Sequence, residues 1–152
     1  MKTDENKKKT PPELKLDNQL CFSIYAASRA IVNLYRPLLD ELGLTYTQYI
    51  TMLVLWEEKE ITIKSLGQKL FLDSGTLTPL VKKLIKSGYL SKKRSIKDQR
   101  VVLVSLTKKG LELRQKARCI PAEILKTTRL TASEASELRE KLKSFHHKMM
   151  KA

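Results

Sequence analysis

Several things are scarce in this 152-residue chain, and each scarcity narrows what the protein can be. Cysteine occurs only at Cys21 and Cys119, with no CxxC spacing and no histidine cluster beside either. A structural zinc site needs closely spaced Cys or His ligands, so no metal is expected. The two histidines, His146 and His147, sit near the C-terminal end and read as surface or interface side chains. No apolar run reaches the roughly 18 residues of a membrane-spanning helix. The opening stretch, MKTDENKKKTPPELK, is charged and lacks the apolar centre of a signal peptide, so a cytoplasmic protein is expected. Residues 1–16 read as a flexible arm with a Pro-Pro stop. There is no internal repeat and no long linker. Acidic residues are the last shortage, at 16 against 30 Lys and Arg, for a net charge of +14. That balance favours a polyanionic partner, most simply nucleic acid. Nothing in the sequence asks for a cofactor.

What the chain does have is concentrated in residues 71–107, FLDSGTLTPLVKKLIKSGYLSKKRSIKDQRVVLVSLT. Leu77, Leu80, Val81, Leu84 and Ile85 have the spacing of one apolar helix face. The opposite face carries Ser74, Thr76, Thr78, Lys82, Lys83 and Lys86. Gly88 ends this helix, in the place where a left-handed residue is usual. The period then changes to two. Tyr89–Ser95 and Arg100–Leu106 read as paired strands around a tip of Ile96, Lys97, Asp98 and Gln99. From Lys82 to Arg100 there are eight Lys or Arg and one acidic residue, Asp98. A small-polar and basic helix face followed by a basic hairpin suits a winged helix-turn-helix. In that fold a helix enters a major groove, and a wing tracks phosphates or a minor groove. Ser74, Thr76, Thr78 and Lys82 are the candidate base contacts. Lys93, Arg94, Lys97 and Arg100 are the candidate wing contacts.

The rest of the chain frames this unit. A first helix is expected over 17–42, ended by Gly43, with Pro37 kinking or breaking it near its end. Thr45 and Gln48 form a capping box for a second helix to about Glu58. Residues 61–63 are a strand candidate, and 64–71 a short helix. Thr107 caps a helix through Ala117, which Pro121 bends or ends. Thr131 and Glu134 form another capping box for a last helix, with an apolar stripe of Ala135, Leu138, Leu142, Phe145 and Met149. The first and last helices have little to pack on within one protomer, so their stripes are expected to meet across a homodimer. The expected class is mainly α with a small β-hairpin wing. Residues 17–44 and 108–150 would dimerise, and 45–107 would bind DNA.

This order, with Asp98 and Arg100 in the wing and Leu106-Thr107 after it, resembles the MarR family of transcriptional regulators over residues 17–150. The strings DNQLCFSIYAASR, YRPLLDELGLTYTQY and FLDSGTLTPLVKKL resemble a narrower group. That group comprises the organic-hydroperoxide-sensing OhrR type and staphylococcal thiol sensors of the SarZ and MgrA kind. QLCF is the specific part. The resemblance implies that Cys21 is the redox-sensing thiol, that Tyr35 and Tyr46 hydrogen-bond its sulfur, and that Tyr25 lines the same pocket. It also implies a pair between Asp73 and Arg100 bracing the recognition helix against the wing. The group holds both one-cysteine and two-cysteine members, so Cys119 is either a resolving thiol or inert packing.

Physical chemistry bears on the same residues. A helical cysteine is ordinarily a small core residue. Cys21 and Tyr25, four apart, share a helix face. Phenol donors aimed at a sulfur stabilise the thiolate, the species that attacks a peroxide. Cys21 and Tyr35 lie about 21 Å apart along one helix at ~1.5 Å rise per residue, so a shared pocket needs a partner chain. The leading expectation is a homodimeric repressor that binds a pseudo-palindromic double-stranded operator and releases it when an oxidant such as an organic hydroperoxide modifies Cys21. Three alternatives stand beside it. They are a MarR-type regulator released by a small aromatic ligand, a thiol peroxidase using Cys21, and a constitutive basic nucleic-acid binder. Against the enzyme, there is no βαβ pattern and no Arg or His near Cys21, Arg29 being two turns away.

Overall fold

The computed structural model describes residues 10–151. Helix α1 (Leu20–Asp40) begins three residues later than its periodicity predicts. Two short 3-10 turns, Pro12–Leu14 and Leu16–Asn18, precede it and are stitched by side-chain amides. Asn18 Nδ2 donates to the Pro12 carbonyl at 2.6 Å, and Gln19 Nε2 donates to the Glu13 carbonyl at 2.7 Å. Gln19 is extended and opens α1. Residues 1–9 of the expected arm lie outside the described residues. Pro37 sits inside α1, which runs on for another turn. The chain then closes with Leu44 N–H donating to the Leu39 carbonyl at 3.0 Å.

Helix α2 (Tyr46–Glu58) carries the capping box that Thr45 and Gln48 predict. Its Tyr49, Met52, Leu55 and Trp56 are buried, and the other core side chains gather around them. Strand β1 (Glu60–Thr62) leads into α3 (Ile63–Leu70) and α4 (Ser74–Lys86). Strands β2 (Leu90–Arg94) and β3 (Val102–Leu106) form the hairpin. The predicted short strand is not isolated. It pairs antiparallel with β3, giving a three-stranded sheet of order β1-β3-β2. Ile61 and Lys92 flank the buried Val104, so one sheet face belongs to the core. The order and packing are those of a winged helix-turn-helix.

Helix α5 (Lys108–Ala117) begins at the Thr107 cap, and α7 (Ala132–Lys151) begins at the Thr131–Glu134 capping box. Between them is a helix the sequence reading missed, α6 (Ile120–Thr128). Pro121 was expected to bend or end a helix. It lies in the first turn of α6, where an absent N–H breaks no intrahelical bond. Ile120 and Ile124 bury this helix, which packs on α1.

The base of the hairpin is the tightest crossing. Gly88, at φ 78, turns the chain out of α4. Thr107 Oγ1 donates to the Gly88 carbonyl at 2.7 Å and accepts from Gly110 N–H at 3.0 Å. Trp56 Nε1 donates to the Gly110 carbonyl at 2.8 Å. A Cβ on Gly110 would stand 2.3 Å from the Tyr89 carbonyl oxygen and 2.8 Å from Leu106 Cδ1. In an exposed helix Gly→Ala stabilises, but here the added atom meets backbone. Gly110→Ala should therefore lower stability by about 1–3 kcal/mol, read from the urea midpoint. A midpoint at or above the parent's would show that this crossing yields freely.

Candidate functional site

Helix α4 presents its polar side as the spacing requires. Leu77, Leu80, Val81 and Leu84 are buried, while Ser74, Thr76, Thr78 and Lys82 are exposed. The turn before it bends at Phe71, a non-glycine residue at φ 54 whose side chain is 70% exposed. Asp73 is the N-cap. Its carboxylate accepts from Thr76 N–H and from Thr76 Oγ1, both at 2.9 Å. Those two bonds hold its carboxyl below the usual range. Thr78 Oγ1 donates to the Ser74 carbonyl at 2.7 Å. The hydroxyl protons of Thr76 and Thr78 are thus engaged within the helix and its cap, which leaves the oxygens their acceptor capacity. In this protomer Asp73 is joined to Thr76 rather than to Arg100. The geometry favours the capping bond because both partners lie within one turn.

The wing tip is organised by its own polar groups. Asp98 accepts from Arg100 N–H at 2.9 Å and lies 4.0 Å from Arg100 Nε. Arg94 donates to the Gln99 carbonyl at 2.7 Å, tying the two arms of the hairpin together. Lys97 is exposed, and its N–H donates to Ser95 Oγ at 3.2 Å. The strand alternation divides two neighbouring lysines. Lys92 is on the core side of the sheet. Lys93 is on the other, where its Nζ lies 2.8 Å from Glu60 of β1, a carboxylate that also accepts from Ser105 of β3 at 2.5 Å. The Lys93 bond, followed by that from Ser105, lowers the Glu60 carboxyl below its usual range. A groove of about 1440 Å³ opens between α3, α4 and the wing. Ser74, Thr78, Lys82, Lys92 and Arg100 line it over an apolar floor that includes Leu77 and Val81. The end of α7 reaches this side of the molecule. The His146 ring lies 4.3 Å from that of Phe71, and Met150 borders the groove.

The candidate sensor residues fall into two groups within one protomer. Cys21 and Tyr25 are exposed near the start of α1, and Arg29 donates to Tyr25 Oη at 2.8 Å. Tyr35 and Tyr46 meet edge to face at 5.1 Å near the other end of the helix. Tyr49, which the sequence reading did not single out, joins them at 5.7 Å from Tyr35. Its apolar spacing on α2 marked it only as core. Burial raises all three phenols, and Tyr35 and Tyr46 reinforce each other's effect on Tyr49, which is pushed up to about 12. They therefore stay protonated and can donate. Cys119 is exposed at the N-cap of α6, with Sγ 3.7 Å from the Lys116 carbonyl. Its chain neighbours Arg118 and Pro121 line a small pocket together with Tyr49, so it lies on the tyrosine side of the protomer. Lys92 and Glu60 are the other residues missed. Strict alternation counted inward from Leu90 would have found Lys92. Glu60 carried no signal until β1 joined the sheet.

The outer helices leave apolar surface uncovered. Leu39 is the one buried residue of α1, and α7 buries none of its described residues. Leu20, Ile31, Leu138, Leu142 and Met149 are all exposed by more than two-fifths. No helix of the described residues is long and apolar enough to cross a membrane.

Residues 33–117 match the family model of the SarA/Rot transcriptional regulators. The chain is 46% identical over 129 residues to the organic hydroperoxide resistance transcriptional regulator of Bacillus subtilis, covering 85% of this chain and 88% of that protein. It is similar to reduced AbfR bound to DNA, a Staphylococcus epidermidis protein, at 35% identity and a TM-score of 0.72, covering 89% of this chain and 94% of the other. Against the disulfide-formed AbfR structure the TM-score is 0.61, at 36% identity, covering 86% and 91%.

The Asp73 cap has a pH signature. A carboxyl lowered by folding stabilises the fold fully above the ordinary Asp range, and that gain is lost as pH falls through the lowered titration. Asp73→Ala should melt below the parent at neutral pH, with the gap narrowing as the pH falls below the ordinary Asp range. A gap that does not change with pH would mean the carboxylate charge contributes nothing to the cap.

Proposed function

This chain belongs to the MarR/SarA family of transcriptional regulators, and from that premise we propose that it is a homodimeric, cytoplasmic repressor that leaves its operator when an organic hydroperoxide or similar oxidant modifies Cys21. The observation that carries the reading is the separation of sulfur from phenols along one exposed helix. Cys21 lies about 21 Å from Tyr35 at ~1.5 Å per residue, and the apolar flank between them has no cover in the protomer. Two first helices crossing antiparallel would cover that flank. They would also bring Tyr35 and Tyr46 of a second copy to Cys21. Residues 17–44 and 108–150 then form the dimerising part, and 45–107 the DNA-binding part.

The chemistry follows from the neighbours. Protonated phenols donate to the Cys21 thiolate and favour it. The thiolate sulfur attacks a peroxide oxygen, an S–O bond forms and the O–O bond breaks. The alkoxide leaves as the alcohol after taking a proton, so sulfur is oxidised by two electrons and the peroxide reduced. Cys119 of the second copy travels with the tyrosines, because it lies on their side. Its thiolate can attack the sulfenic sulfur, forming S–S as the S–O bond breaks, and the departing hydroxide takes a proton to leave as water. A disulfide needs Cα atoms within about 7 Å, so closing it moves α1 against α6. That movement alters the spacing of two recognition helices that must match half-sites about 34 Å apart. On DNA, Ser74, Thr76, Thr78 and Lys82 read the major groove, while Lys97 and Arg100 work from the wing. The competing reading, release by a small aromatic ligand, draws on the apolar groove between α4 and the wing.

Cys21→Ser should keep its affinity for a duplex selected from a random-sequence pool. The parent should lose about 5- to 150-fold of that affinity on treatment with an organic hydroperoxide, and the variant should not. Fluorescence anisotropy reads both. Release of Cys21→Ser by peroxide would place the sensor elsewhere, and release of it by a phenol would favour the ligand reading. On a non-reducing gel the oxidised parent should run as a covalent dimer and Cys119→Ser as a monomer. An oxidised parent that stays monomeric, with Cys119 still alkylatable, would leave Cys119 as packing.

A further inference from the structure

Lys92 and Lys93 are adjacent basic residues on the first strand of the wing, and by charge alone they are equivalent. The sheet separates them. Side chains alternate along a strand, so the two leave β2 on opposite faces. Lys92 stands opposite Val104, which is fully buried, and its side chain borders the groove with Ser74, Thr78, Lys82 and Arg100. Lys93 leaves by the other face, which it shares with Ser91, Ser105 and Glu60. There it meets Glu60 at 2.8 Å, and Glu60 is fixed in turn by the Ser105 hydroxyl at 2.5 Å. The three residues come from the three strands of the sheet, so the contact spans its full width.

We propose that Lys92 is the phosphate-contacting lysine of this strand, and that Glu60 is a positioning residue that holds Lys93 on the back of the wing, away from DNA. This rests on the reading that α4 and the wing bind DNA. The wing then engages duplex with a definite face rather than with its total charge. Lys93 is a reserve cation, held by a carboxylate that lies two strands away. An isolated surface pair contributes little to stability, so the role is one of direction and not of holding the fold. Because Lys93 has a four-carbon stem, freeing it from Glu60 lets its ammonium swing round the edge strand toward a nearby phosphate.

Salt-dependent binding to a random-sequence duplex tests this, since each phosphate contact contributes roughly 0.9 to the slope of log K against log salt. Lys92→Ala should reduce the slope by about 0.9, and Lys93→Ala should leave it unchanged. Glu60→Gln should steepen the slope, by up to about 0.9, and the double variant Glu60→Gln/Lys93→Ala should return to the parent value. Equal losses for the two single lysine variants would overturn the assignment. So would a Glu60→Gln slope that does not steepen. Steepening that survives in the double variant would show a general field effect and overturn the role given to Lys93. A parent that fails to bind duplex at low salt would overturn the DNA-binding reading itself, which separates the two failures. Circular dichroism melts of all four variants should match the parent, because none of the side chains is buried.

Discussion

Two segments of backbone, at Tyr89 and Gly110, meet within contact distance, and the joining of the outer helices to the DNA-binding unit depends on that approach. The start of α5 lies directly on the Tyr89 carbonyl, with no room for a side-chain carbon between them. The indole of Trp56 holds the same residue from α2, and Thr107 joins it to the end of α4. Lys109 adds a bond to the Ser87 carbonyl at 2.8 Å. The helix leading out of the DNA-binding unit is therefore fixed to the recognition helix and to the base of the wing at one point. Packed interiors are dense and have few alternative arrangements, so a displacement of α5 would be passed to the end of α4 through the Thr107–Gly88 bond.

On the DNA side, charge is spread generously and geometry decides how it is used. The stretch from Lys82 to Arg100 carries eight Lys or Arg. The alternation of β2 turns Lys92 toward the groove and Lys93 toward Glu60. Arg94 is exposed but tied to Gln99 across the hairpin, and Lys97 and Arg100 stand exposed at the tip. The hydroxyls of α4 are similarly oriented by internal bonds, with Thr76 joined to its cap and Thr78 to the preceding turn. Such bonds restrict rotamers, and in the proposed complex they would reduce the ordering cost of binding DNA.

The sensor side has the opposite character. Cys21 and Tyr25 stand on a stretch of α1 with almost no cover, while the three phenols pack together two-thirds of a helix away. Burial raises these phenols, so each keeps an O–H that can donate to a thiolate. In the proposed dimer a site divided in this way would be completed by association, and oxidation would act on the contact between copies rather than on the interior of either one.

Most of the architecture was legible because it rests on local rules. The capping residues Thr45, Thr107 and Thr131, the Gly88 turn and the apolar spacing of α4 are properties of neighbours a few positions apart, and the structure has each where the sequence puts it. The late start of α1 was hidden, because the amides of Asn18 and Gln19 favour 3-10 turns over one more helical turn. Helix α6 was hidden behind Pro121, which marks a helix start as readily as a stop. The Asp73–Arg100 brace suggested by resemblance gives way in the protomer to a cap within one turn. By itself, the sequence determined the winged helix-turn-helix, its basic face and the distance between Cys21 and Tyr35, since these follow from periodicity, composition and helical rise. Only the tertiary structure decided that β1 joins the sheet, that Tyr49 and Cys119 lie with the other phenols, and which lysine of the wing faces the groove. Those relations join residues far apart in the chain, and no local preference records which strand edge or helix face will meet another.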